Sequence, residues 1–63
     1  MNFKINQQVI LIEDFKDNFW NQTIKKNTKG IVKQVVPYKD NTVWVVFEGT
    51  NEKYISISTE LLV

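Results

Sequence analysis

Cysteine, histidine and arginine are all missing from this chain of 63 residues. Without cysteine or histidine there can be no disulfide, no thiolate or imidazole metal site, no Cys nucleophile and no Ser-His or Cys-His catalytic pair. Most familiar enzyme chemistry is thereby excluded, and the expectation is a protein that is not an enzyme and carries no cofactor. Without arginine the chain lacks the side chain best suited to bidentate contacts with phosphate or guanine. Two glycines and one proline are few enough that each marks a turn. The longest apolar run, Val9-Ile10-Leu11-Ile12, falls far short of the roughly twenty residues of a membrane helix. No membrane insertion is expected. The first residues, Met1-Asn2-Phe3-Lys4-Ile5-Asn6, show neither an apolar h-region nor a small-residue cleavage site. A cytoplasmic location is the corresponding expectation.

Eight lysines face seven acids, a net charge of +1, which does not announce strong nucleic-acid binding. A lysine-only basic set with many asparagines reads as AT-rich coding bias. The length allows one domain, residues 1–63, and such a short chain buries only about 60% of its unfolded surface, so its core must be efficiently filled.

The densest information lies in Lys25-Lys26-Asn27-Thr28-Lys29-Gly30-Ile31-Val32, followed by Thr42-Val43-Trp44-Val45-Val46-Phe47-Glu48. The first stretch is a lysine-rich turn closing on a glycine, where Gly30 is expected to supply a backbone conformation costly for other residues. Strands are predicted over 8–12, 31–36, 42–48 and 53–58, with Leu61-Leu62-Val63 returning to the first strand. In the clearest of these, Val43, Val45 and Phe47 alternate toward one face and Trp44 and Val46 toward the other. Ile55 and Ile57 likewise alternate against Tyr54, Ser56 and Ser58. Pro37 and Lys39-Asp40-Asn41 carry turn chemistry. Residues 13–27 show neither alternation nor a sustained helical stripe and are predicted as a long loop, with a short helix over 14–20 as the local alternative. Phe15, Phe19 and Ile24 are expected to fold back over the core. The predicted core is Val9, Leu11, Val32, Val45, Phe47, Ile55 and Ile57.

This arrangement resembles a five-stranded SH3-like barrel of the bacterial accessory-protein kind. In particular it is similar to an uncharacterised bacterial domain family that opens with a V-x-L-x-E-D-like segment, here Val9-Ile10-Leu11-Ile12-Glu13-Asp14. The family continues with a K/G-x-x-G-x-V turn, a V-x-F-E/D strand and a closing leucine pair, matched by residues 27–32, by Val45-Val46-Phe47-Glu48 and by Leu61-Leu62. Weaker similarity links residues 24–32 to the variable subunit of ferredoxin-thioredoxin reductase. Residues 45–51 echo the ferredoxin-docking subunit of the photosynthetic NADH-dehydrogenase-like complex. Plasmid-borne type II dihydrofolate reductase shares the barrel type, but its V-Q-I-Y segment would fall on Ile55-Ser56-Ile57-Ser58, which lacks the Gln and the Tyr. The resemblance therefore implies an all-β barrel and no catalytic residues.

Three features remain as candidate sites. Glu13, Asp14 and Asp17 cluster in the first loop, but their spacing is not that of a calcium loop and no partner base exists, so a solvated acidic loop is expected. Lys25, Lys26, Lys29 and Lys33 make a basic patch that could steer an acidic partner or hold phosphates. Phe15, Phe19, Trp20, Tyr38, Trp44 and Tyr54 exceed what one small barrel can hide. Exposed Trp and Tyr favour interfaces, since they give large contact area at little entropy cost. The sequence thus points to a non-catalytic protein–protein interaction module, a small accessory subunit or regulator of a larger protein. Trp20, Trp44 and Tyr54 would form its contact surface, and Lys25, Lys26 and Lys29 would steer the approach. The alternatives are an accessory subunit of an electron-transfer complex docking an acidic carrier such as ferredoxin, and a nucleic-acid-binding barrel.

Overall fold

A computed structural model describes residues 3–36 and 41–63. Among these the chain is all-β, with strands β1 (Gln8–Ile10), β2 (Phe15–Asp17), β3 (Gln22–Ile24), β4 (Lys29–Val35), β5 (Thr42–Phe47) and β6 (Tyr54–Ser58), followed by a 3-10 turn at Thr59–Leu61. None of the described residues forms a helix long and apolar enough to cross a membrane. Four strands form one antiparallel sheet in the order β1-β4-β5-β6, and β2 and β3 form a separate two-stranded hairpin.

The expected count of five strands is corrected by that hairpin: there are six strands in two sheets. Neither the loop nor the short helix anticipated over 13–27 is what forms. Instead Phe15 pairs with Ile24, Lys16 with Thr23 and Asp17 with Gln22. Strands of three residues are too short to display alternation, so a period-based reading passes over them. Ile24 is buried and Phe15 packs against the core, as anticipated, but Phe19 is 82% exposed at the hairpin tip. Of the expected turn at Pro37 and Lys39-Asp40-Asn41, Asn41 is described and has a positive φ, while residues 37–40, Tyr38 among them, lie outside the described residues.

The alternation read from β5 and β6 places the core. Val43, Val45, Phe47, Ile55 and Ile57 are buried, while Trp44 and Tyr54 stand on the opposite face. All seven residues of the predicted core are at most 2% exposed, and Phe3, Ile24 and Leu62 join the same cluster. The chain's last residues lie along the free edge of β1. Ile10 and Val63 exchange N–H···O bonds of 2.9 and 3.0 Å, the Ile12 N–H donates to the Leu61 carbonyl at 2.9 Å, and Leu11 bridges Leu62.

Gly30 serves a different purpose from the one expected. It sits inside β4, between Val9 of β1 and Phe47 of β5. A Cβ there would lie 2.6 Å from Val45 Cγ1 and 2.9 Å from Phe47 Cδ1. The missing side chain is space filled by two core neighbours, so close packing and not turn geometry demands glycine.

Left-handed backbone is supplied elsewhere, by Asn6, Asn21, Asn27, Asn41 and Asn51, whose φ values lie between 54° and 73°. Asparagine tolerates this region better than other residues with a Cβ, so at these positions it is turn chemistry and not merely coding bias. Glu52, with φ 59°, has no such tolerance. Glu52→Asn should therefore stabilise the fold by about 1 kcal/mol and raise the melting temperature by about 4–8 °C. A thermal melt unchanged by the substitution would show that the β5–β6 turn carries no strain at this residue.

Candidate functional site

The β2–β3 hairpin builds one wall of the site. Four residues separate Asp17 from its cross-strand partner Gln22, and the Asp17 carboxylate closes that turn by accepting the Trp20 backbone N–H through Oδ2 at 2.7 Å. Asn21 then takes the positive φ that lets the chain return. This local bond fixes where Trp20 leaves the backbone. Its indole Nε1–H reaches across to the Tyr54 carbonyl at 3.0 Å, tying the hairpin tip to the start of β6. Phe19 meets the Trp20 ring edge-on, with centroids 4.9 Å apart and planes at 85°.

The outer face of the main sheet builds the other wall. Trp44 lies opposite Ser56 in the β5–β6 register. Its ring stands 6.0 Å from that of Tyr54 at 79°, an edge-to-face pair across the strands. Between the walls is a cleft of about 420 Å³ lined by Asp17, Phe19, Trp20, Trp44, Tyr54 and Ser56. Trp20 and Trp44 are each 41% exposed and Tyr54 is 47% exposed. The three aromatic residues selected from the sequence are thus brought together, although they come from a hairpin tip and two strands.

The three lysines selected with them do not line this cleft. Lys25 and Lys26 occupy the β3–β4 turn and Lys29 opens β4, all exposed. Asp14 organises that turn, accepting the Lys26 backbone N–H at 2.8 Å and meeting the Lys25 ammonium at 3.8 Å. Such a surface pair adds little to stability. The cation that does touch the aromatic set is Lys53, whose Nζ is 5.6 Å from the Trp20 ring centroid. Its position immediately before Tyr54, at the start of an aromatic strand, is the only trace it leaves in the sequence.

The acidic loop divides likewise. Glu13 and Asp14 are exposed, as expected of a solvated loop, but Asp17 is only 7% exposed and is committed to the turn. No group of acids among the described residues is placed to hold a metal ion. A second, more open depression of about 450 Å³ lies over Ile31 and Val46, beside Lys33, Glu48 and Glu52. It mixes charges of both signs and contains no aromatic cluster.

Comparison with known proteins finds no matching family model, no matching curated protein and no matching solved structure.

Proposed function

We propose that this chain is a non-catalytic protein–protein interaction module built on a small SH3-like barrel, a small cytoplasmic accessory subunit or regulator of a larger protein, of bacterial type. The barrel reading is supported by the path of the chain. β6 ends one side of the sheet order, and a single 3-10 turn of three residues carries the chain to the other side, where it pairs with β1. Sheet edges joined by so short a link favour a curled sheet, with the β2–β3 hairpin as an ornament of the first loop.

One observation carries the functional reading: the cleft gathers two tryptophans and a tyrosine, each about half exposed, on a sheet whose core is complete without them. Keeping such rings in water is unfavourable unless something covers them, and Trp and Tyr are the residues that most often anchor an interface. The lysine turn stands outside the cleft. With Lys53 the one lysine stacked on these rings among the described residues, the arrangement favours a protein partner over a nucleic acid, whose binding would need several phosphate contacts close to the stacking rings.

Affinity capture with mass spectrometry would identify the partner, and binding kinetics on variants would test the surface. Trp44→Ala should leave the thermal melt nearly unchanged and weaken partner binding by about 2 kcal/mol or more, roughly thirtyfold. Lys25→Glu with Lys26→Glu should slow association in a salt-sensitive manner, because rim charges mainly steer encounter. A Trp44→Ala protein that unfolds, alongside lysine variants with unaltered kinetics, would remove the proposed face.

A further inference from the structure

The aromatic cleft contains a carboxylate whose bonding is half complete. Asp17 lines the cleft and is more than nine-tenths buried. Its Oδ2 holds the Trp20 N–H. Its Oδ1 accepts no hydrogen bond from the described residues, and since no buried side-chain oxygen among them is left without a partner, Oδ1 reaches solvent. The same cleft is lined by Trp20, Trp44 and Tyr54, and the faces of aromatic rings carry negative potential. An acceptor with net negative charge, in a half-desolvated cleft that aromatic rings also line, is complementary to a cation.

We propose that the cleft receives the guanidinium of an arginine on the partner protein. This rests on the interaction reading above and names the chemistry of its anchor. The carboxylate selects a cation with N–H to donate, which a quaternary ammonium lacks. The rings select a flat, weakly hydrated cation, which favours guanidinium over a lysine ammonium. The volume suits a single side chain and its flanking backbone. The chain has no arginine of its own to fill the site. Lys53, with its Nζ 5.6 Å from the Trp20 ring centroid, shows that this ring accepts a cation, although Lys53 itself does not line the cleft.

The two tryptophans give two indole N–H resonances, so nitrogen–proton NMR on the whole chain reads the site directly. Titration with N-acetyl-arginine amide should move both in a saturable way at millimolar concentration, the range expected of so small a ligand. N-acetyl-citrulline amide, of the same shape but neutral, should bind at least about tenfold more weakly, the loss expected for a charge-assisted hydrogen bond. Asp17→Asn keeps an oxygen for the Trp20 N–H and should weaken arginine binding to a similar degree. Equal binding of arginine and citrulline, or tighter binding of N-acetyl-trimethyllysine amide, would overturn the proposal. If Asp17→Asn disturbs the fold, the comparison of probes on the unaltered chain decides alone. Absence of arginine binding while Trp44→Ala still weakens partner binding would sink this inference and leave the interaction reading standing. Arginine binding with partner affinity indifferent to Trp44→Ala would leave a guanidinium site but overturn its assignment to the partner, together with that reading.

Discussion

Phe47→Ala should lose about 3–5 kcal/mol of stability and leave the chain largely unfolded at room temperature. Phe47 is 1% exposed and lies in register with Gly30, which in turn faces Val9. Because a Cβ on Gly30 would stand 2.9 Å from the Phe47 ring, that ring occupies volume that its cross-strand neighbour, lacking a side chain, leaves open. The cavity left by truncation therefore cannot be refilled by its neighbour. A single core of this size supplies only about 3–5 kcal/mol of net stability, so the loss is comparable to the whole. The urea midpoint reads it, with Phe19→Ala as the contrast, since Phe19 is 82% exposed and its removal should leave the midpoint nearly in place. A Phe47→Ala midpoint equal to the parent's would mean that the β4–β5 register is wrong.

A chain ending at Glu60 should fail to fold. It loses Leu62, 2% exposed in the core, and the three backbone bonds that join residues 61–63 to β1 and its continuation. Loss of a buried leucine costs about 2–5 kcal/mol, and each hydrogen bond adds about 1 kcal/mol. It also exposes Leu11, which is fully buried and bridges Leu62. Proton NMR of the shortened chain should show collapsed amide dispersion. A well-dispersed spectrum would show that β1, β4, β5 and β6 stand without the returning segment, which removes the main support for a barrel.

The parts legible in the sequence were those with a long enough period. β5 and β6 each alternate over five or six residues, so their faces, and with them Trp44 and Tyr54, could be placed before any coordinates. The hairpin could not, because its strands are three residues long and its order depends on a contact with no local signature, the Trp20 indole on the Tyr54 carbonyl 34 residues later. The same gap hid Asp17: a carboxylate among other acids looks solvated until the turn it closes is known. Lys53 is inconspicuous because it stands apart from the lysine-dense stretch at 25–33, and its approach to Trp20 depends on the fold. Gly30 stands out in the sequence, but the sequence reveals only that a side chain is absent and not that Val45 and Phe47 fill the gap.

The five asparagines of the turns alter the balance on the other side of the folding equilibrium. A glycine in each would reach the left-handed region without strain but would also give the denatured chain more conformations to lose on folding, an entropy of about 0.4–1 kcal/mol per position. Asparagine accepts a modest strain in the native turn and narrows the denatured ensemble in return. Across five positions in so short a chain, that restriction amounts to a contribution of the same order as its net stability. Part of what holds this domain folded is therefore a poverty of alternatives in the disordered chain, which no inventory of native contacts can register.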